Sequence, residues 1–160
     1  LVYRENSGSK ITAMNDPALR DMRMGVVAQT PGATLATMNR INNLEPYQLD
    51  VDTRVDNPAR RAVEDVSSGK IDATVLWGPI AGYFAAQQPT KLTVVPLVGD
   101  QGTRVEFPIT MGIRVEEPEW KHWLNDFIQR RQSDIDAVLA QYNVPLLTSN
   151  GQLQSAAVTR

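Results

Sequence analysis

Runs rich in β-branched residues alternate with segments of helical periodicity, and this alternation most constrains the fold. Strands are predicted over residues 23–28, 47–52, 73–77 and 92–98. Helices are predicted between them, over residues 32–43, 57–69 and 79–88. Strand–helix–strand units of this length form a mainly parallel sheet with helices on both faces. We therefore predict an α/β fold whose ligands bind at the carboxyl ends of the strands.

Local signals mark several boundaries of these elements. Asn57 followed by Pro58 predicts a helix start, because asparagine caps the first turn and proline suits the first helical position. Gly69 is placed where a left-handed C-terminal residue is needed. Asn42 and Asn43 indicate the end of the preceding helix. Pro96 predicts an edge strand or a bulge, because proline donates no ladder hydrogen bond.

The pattern changes in the last sixty residues. A polar loop over 100–106 precedes a predicted strand over 109–114 and a helix over 118–131. That helix has an apolar stripe of Trp120, Trp123, Leu124, Phe127 and Ile128. Ser133 and Asp136 have the spacing of a capping box, which predicts a second helix. The chain ends in a predicted tail over 148–160.

Composition excludes several classes of function. The chain has 160 residues, with 16 lysines and arginines against 18 acidic residues, so there is no basic field for nucleic acid. No apolar run approaches the roughly 18–20 residues of a membrane span. There is no cysteine, and the single His122 has no neighbours at metal-ligand spacing. We expect no catalytic residues, metal or cofactor.

The first candidate site is the turn between the strand over 23–28 and the next helix. It contains Gln29, Thr30, Gly32, Ala33 and Thr34, and free N–H groups at a helix start favour binding of an anionic group. The hydroxyls of the two threonines add possible donors. An ordinary capped turn has the same sequence pattern, so this alternative stays open.

The second candidate site follows the strand over 73–77. Trp77, Gly78 and Pro79 come at the strand end, where a tryptophan is well placed to form the wall of a binding site. Tyr83 and Phe84 on the following helix extend this ligand- or partner-binding candidate. Core packing of the tryptophan is the competing interpretation.

Several segments carry a resemblance to a known family. Residues 19–25 with the turn over 30–34, residues 63–75, and residues 109–114 followed by a helix ending over 139–144 are similar to the family 3 periplasmic solute-binding proteins. More narrowly, residues 70–85 (KIDATVLWGPIAGYFA), 109–114 (ITMGIR) and 130–146 (RRQSDIDAVLAQYNVPL) resemble the J-type accessory proteins found beside PQQ-dependent methanol dehydrogenases, the MoxJ and XoxJ group. The resemblance extends over about residues 1–147, and the WGPIAGYFA block is its most specific part.

The resemblance implies a clamshell of two lobes, of which the first is truncated here. Residues 1–6 and 109–114 would be hinge strands, residues 16–108 the second lobe, and residues 109–147 the return to the first lobe. It also implies a non-enzymatic periplasmic factor that binds a quinoprotein methanol dehydrogenase, with lanthanide or calcium, and assists its maturation or activation. The alternative is the solute receptor of an ABC importer.

The sequence departs from the amino-acid-binding members of this family. Trp77 stands where those receptors usually present a carboxylate to the ligand's ammonium group. The Gly-Thr-Thr or Gly-Thr-Ser turn that cradles a carboxylate is replaced by Gln29 to Ala33. An aromatic wall without a counter-charge suits an apolar ligand or a protein segment better than a zwitterion.

Two further expectations concern the intact protein. The chain begins within a predicted strand, at Leu1-Val2-Tyr3, so we expect preceding residues. The resemblance is to exported proteins, and it implies a cleavable signal peptide in the precursor. We also expect first-lobe elements to cover an apolar stripe of both C-terminal helices, formed by Trp123, Leu124, Phe127, Ile128, Ile135, Val138 and Leu139. Without them, this surface predicts self-association centred on Phe127 and Ile128.

Overall fold

A computed structural model describes residues 1–8, 10–49, 52, 54–98 and 102–154. Its strands are β1 (Val2–Arg4), β2 (Met24–Val27), β3 (Leu44–Tyr47), β4 (Ala73–Val75) and β5 (Leu92–Val94). Its α-helices are α1 (Pro31–Met38), α2 (Pro58–Ser68), α3 (Gly78–Ala85), α4 (Pro118–Arg130) and α5 (Gln132–Gln141). A short 3-10 helix over Pro17–Arg20 precedes β2.

The five strands form one mixed sheet in the order β3-β2-β4-β1-β5. β2 is parallel to both β3 and β4, whereas β1 is antiparallel to β4 and β5. Four strands therefore share one direction, and β1 runs against them. This arrangement confirms the predicted mainly parallel sheet.

Both faces of the sheet are covered by other elements. Alternate residues of a strand point to opposite faces, so each strand contributes side chains to both. Met24 and Val26 pack on one side with residues of α1 and of the segment before β2. Val27 packs on the other side with α2, and Val2 packs there with α2 and α3. The core is therefore two apolar layers separated by the sheet, as the predicted α/β architecture requires.

The predicted ends of α2 are confirmed. The Asn57 side chain accepts a hydrogen bond of 3.1 Å from the Arg60 N–H, and Pro58 is the first helical residue. Gly69 ends the helix with φ 85°, in the left-handed region that glycine adopts without strain. Arg4 on β1 stabilises the same helix end, since its guanidinium donates to the Val66 carbonyl at 2.6 Å.

Helix α1 ends earlier than predicted. Arg40 has φ 57°, and the N–H groups of Arg40 and Ile41 donate to the carbonyls of Thr37 and Ala36. These two bonds are a Schellman motif, which satisfies the last carbonyls of the helix before Asn42 and Asn43 are reached. The predicted end at those asparagines was therefore wrong.

The strand predicted over 47–52 was also wrong. The paired segment is Leu44–Tyr47, in register with Met24–Val27 of β2, and it contains Pro46. Proline is tolerated there because β3 lies at the edge of the sheet. Residues 50 and 51 of the predicted strand lie outside the described residues. β5, also an edge strand, ends at Val94, two residues before Pro96.

The C-terminal part contains two further corrections. Residues 109–114 form no strand, because nothing in the described part of the chain pairs with them. Ser133 does not cap a helix, because α5 already begins at Gln132 and Arg131 occupies the N-cap position. α4 and α5 pack mainly against each other, and no residue of either helix, all of which are described, is buried.

The assignment of residues to lobes stays a prediction. β1, predicted as a hinge strand, lies between β4 and β5 in the sheet. Residues 155–160 of the predicted tail lie outside the described residues. In the described part of the chain, no helix has the length and apolar character that crossing a membrane would require.

Candidate functional site

A cleft of about 890 Å³ opens at the carboxyl edge of the parallel strands. The ends of β2 and β4 contribute Val27 and Val75 to it, and the segment after β5 contributes Val95 to Val98. Leu1, at the start of the antiparallel β1, reaches the same edge and donates from its nitrogen to the Val95 carbonyl at 2.9 Å. The cleft is therefore where an α/β sheet of this kind is expected to bind ligands.

The wall of the cleft is mostly apolar. Among the described residues that line it, Glu106 is the only charged side chain, and Thr30 and Asn57 are the polar ones. No lysine or arginine belongs to this described lining. Glu106 was missed in the sequence, because a single acid in a polar loop gives no local signal of where the loop folds.

Trp77 lies at the rim of the cleft, between β4 and α3. Its backbone occupies the N-cap position of α3 with φ −63° and ψ 130°, and its carbonyl accepts from the Ala81 N–H at 2.9 Å. Trp77 is 51% exposed and lines the cleft together with Gly78 and Pro79. This exposure excludes the alternative interpretation of Trp77 as a buried core residue.

The turn before α1 has few donors to offer a ligand. Pro31 has no N–H, and the N–H groups of Ala33 and Thr34 both donate to the Thr30 carbonyl, at 3.1 and 3.3 Å. The Thr30 hydroxyl donates to the Val27 carbonyl at 2.7 Å. Gly32 is the remaining early residue of the helix with an N–H to offer. A binding role of this turn stays a prediction.

Gly32 has a packing role that the sequence did not reveal. A Cβ atom at this position would lie 2.8 Å from the Val75 carbonyl oxygen and 3.0 Å from Val75 Cγ1. Only glycine therefore allows the start of α1 to approach the end of β4 so closely. This approach brings the two predicted segments together at the cleft.

The ten predicted site residues divide into two groups. Thr30, Gly32, Trp77, Gly78 and Pro79 line the cleft. The other five, Gln29, Ala33, Thr34, Tyr83 and Phe84, do not. Gln29 before α1 and Thr34 within α1 are exposed, and Ala33 packs towards the core.

Tyr83 and Phe84 belong to a separate aromatic group. The ring of Tyr83 is 5.2 Å from that of Phe84 and 6.0 Å from that of Tyr142, which follows α5. Phe84 is half-buried against the core beneath α3. This group joins α3 to the C-terminal part of the chain, outside the cleft.

Known proteins share this fold and sequence pattern, although no protein-family model matches the chain. The protein MoxJ of Methylorubrum extorquens AM1 is 27% identical over 161 residues, covering 90% of this chain and 53% of MoxJ. The chain therefore spans about half the length of this curated relative. The crystal structure of MxaJ from Methlophaga aminisulfidivorans MPT matches with a TM-score of 0.71 at 20% identity, covering 91% of this chain and 65% of MxaJ.

The crystal structure of the periplasmic binding protein XoxJ from Methylobacterium extorquens AM1 matches with a TM-score of 0.79. The two sequences are 31% identical, and the match covers 92% of this chain and 67% of XoxJ. The resemblance seen in the WGPIAGYFA block thus extends through the described fold. This chain belongs to the MoxJ/XoxJ-like periplasmic binding proteins, with the fold of the family 3 solute-binding proteins.

Proposed function

We propose that the whole protein is a non-enzymatic accessory factor that acts in the periplasm on a PQQ-dependent methanol dehydrogenase. It binds the dehydrogenase, a lanthanide or calcium enzyme, and assists its maturation or activation. The observation that carries this proposal is the apolar cleft, with the half-exposed Trp77 at its rim. Membership of the MoxJ/XoxJ-like proteins supports a binding role.

The chemistry of the cleft favours a protein segment as its occupant. Leu49 and Phe107, like Trp77, are large apolar residues that line the cleft and are exposed to solvent. Tryptophan is enriched among the few residues that supply most of the binding energy of a protein interface. Apolar groups of a partner would leave water on entering the cleft. An apolar segment carries no charge, so it would need no buried counter-charge there.

A solute receptor of an ABC importer is the second candidate function. The cleft volume of about 890 Å³ favours it, since this is within the usual size of small-molecule sites. Such a solute would have to be largely apolar, because most of the described lining of the cleft is apolar.

The test is binding of the full-length mature protein to the purified methanol dehydrogenase of the same organism, measured by biolayer interferometry. We expect a stable complex that Trp77→Ala weakens about tenfold or more, as loss of an interface hot spot does. Val55→Ala is the control, because Val55 is 79% exposed and does not line the cleft. Absence of a complex, together with micromolar binding of a small solute, would favour the importer receptor instead.

A further inference from the structure

The segment over residues 142–147, which we call the strap, leaves α5 in a fixed direction. Asn143 has φ 57°, the Asn143 N–H donates to the Ala140 carbonyl at 2.9 Å, and the Val144 N–H donates to the Leu139 carbonyl at 3.0 Å. These bonds form a Schellman motif at the end of α5. The strap is thereby directed across α3.

The strap contacts α3 at Gly82. A Cβ atom at Gly82 would lie 2.0 Å from the Asn143 carbonyl oxygen and 3.0 Å from Pro145 Cδ. A separation of 2.0 Å is far below van der Waals contact, and the obstructing atom is backbone, which no rotamer change can move. The observed position of the strap therefore requires glycine at this position.

The C-terminal end of the strap is also held in place, by contacts with the residues that follow it. Leu147 forms an isolated antiparallel bridge with Leu153, and the Gln154 N–H donates to the Leu146 carbonyl at 2.8 Å. Gly151, in the connecting turn, lies against Val98, since a Cβ there would be 3.1 Å from Val98 Cγ2. The segment following α5 thus extends from α3 to the residues after β5.

Between these two contacts the strap forms part of the cleft. Val144, Pro145 and Leu147 line it, together with residues contributed by the sheet. α3 contributes Gly78 and Pro79 to the same cleft and carries Gly82 one turn further along. The distance between the strap and Trp77 at the rim of the cleft is therefore set by how the strap packs on α3.

We infer that the strap is a separately positioned wall of the cleft that contacts the apolar group bound there, and that Gly82 is its positioning residue. The inference deepens the proposed function, because it rests on the cleft being a binding site. Packing of the strap at Gly82 sets the width of the cleft, which determines what apolar group fits.

The experiment uses the uncharged dye Nile red with the full chain and two variants that replace glycine with alanine. Gly82→Ala should displace the strap, weaken dye affinity about fivefold or more and speed amide exchange at Val144 about tenfold. Gly112→Ala is the matched control, because Gly112 does not line the cleft and a Cβ there would meet nothing within 4 Å. It should change either quantity by less than about twofold.

Two further variants locate the dye. Trp77→Ala should weaken its binding, whereas Trp123→Ala on α4, outside the cleft, should not. Amide exchange at Val63 in the core of α2 checks that each variant is folded. Pro145→Gly removes the ring that a Cβ at Gly82 would meet, and it replaces Gly82→Ala if that variant does not fold.

The inference is overturned if the wild-type cleft binds no dye, or if Gly82→Ala leaves exchange at Val144 unchanged. Faster exchange with unchanged dye affinity would equally overturn it, because the strap would then not be part of the binding wall. Expected dye results alongside a failure to bind methanol dehydrogenase would refute the proposed function and leave the strap inference standing.

Discussion

At the residue scale, one ionisable cluster joins β3 to α2. The Tyr47 hydroxyl donates to Asp65 Oδ2 at 2.6 Å, and Lys70 Nζ donates to the same oxygen at 2.7 Å. Burial raises the pKa of Asp65, but the hydrogen bonds from Lys70 and Tyr47 outweigh it and bring the pKa below its ordinary value. Burial, followed by the bond to Asp65, raises the pKa of Tyr47.

The Asp65 cluster predicts a pH-dependent stability. A carboxylate with a lowered folded-state pKa stabilises the fold above its unfolded pKa, and this contribution is lost as pH falls through the folded pKa. Asp65→Asn should lower the free energy of unfolding at neutral pH by about 1–2 kcal/mol and flatten the acid side of the stability profile. Urea unfolding at several pH values measures both.

The matched control for this prediction is Glu64→Gln, one position earlier on α2. Glu64 is half-exposed in an i,i+4 pair of 3.7 Å with Arg60, and such pairs contribute little. Equal effects of the two variants, or an acid profile that Asp65→Asn leaves unchanged, would contradict the assigned role of the cluster.

The residues of the cleft also predict weak binding of amino acids. An α-carboxylate entering the cleft would meet no basic side chain among the described lining, and the turn before α1 uses its Ala33 and Thr34 N–H groups internally. Burying that charge unpaired costs several kcal/mol, so we expect dissociation constants weaker than about 1 mM for the standard amino acids. Titration calorimetry with the full-length protein tests this, and micromolar affinity for any of them would refute it.

At the element scale, we predict that the N-cap of α2 contributes measurably to the stability of the protein. Asn57→Ala removes the bond to the Arg60 N–H and should lower the free energy of unfolding by about 1 kcal/mol. Glu117→Ala is the control, since Glu117 occupies the N-cap position of α4 without a side-chain capping bond. Chemical denaturation of both variants measures the difference, and similar losses would contradict a capping role for Asn57.

Elements with local signals were predictable from the sequence, and elements that depend on distant contacts were not. Asn57 and Gly69 mark the two ends of α2 and form hydrogen bonds with residues only a few positions away. Their residue types alone therefore indicated where the helix begins and ends. The register of β3 depends on pairing with β2, which the alternation of residues 47–52 could not reveal. The cleft position followed from topology, but the contact of Gly82 with Asn143 joins residues 61 positions apart and has no sequence signal.

At the scale of the whole molecule, α4 presents an unusual surface. The rings of Trp120, Trp123 and Phe127 stack along one side of the helix, with centroids 4.8 and 5.3 Å apart. None of the thirteen residues of α4 is buried in the described structure, and Phe127 is 39% exposed. Monomeric proteins rarely expose apolar patches of this kind.

We therefore predict that the 160-residue chain alone associates with itself through this stripe, as measured by sizing chromatography with light scattering. Phe127→Glu should disperse it to a monomer, because a carboxylate at the centre of an apolar contact loses its hydration without a partner. In the full-length protein, where we expect first-lobe elements to cover α4, the association should be absent.

Val115→Glu is the control for this last prediction. Val115 is 93% exposed and lies just before α4, so the substitution adds the same charge outside the stripe. It should leave the association intact, which separates a specific contact from general repulsion between charged chains. A chain that is already monomeric while amide exchange shows α4 formed would contradict the argument, because the stripe would then be tolerated in water without a cover.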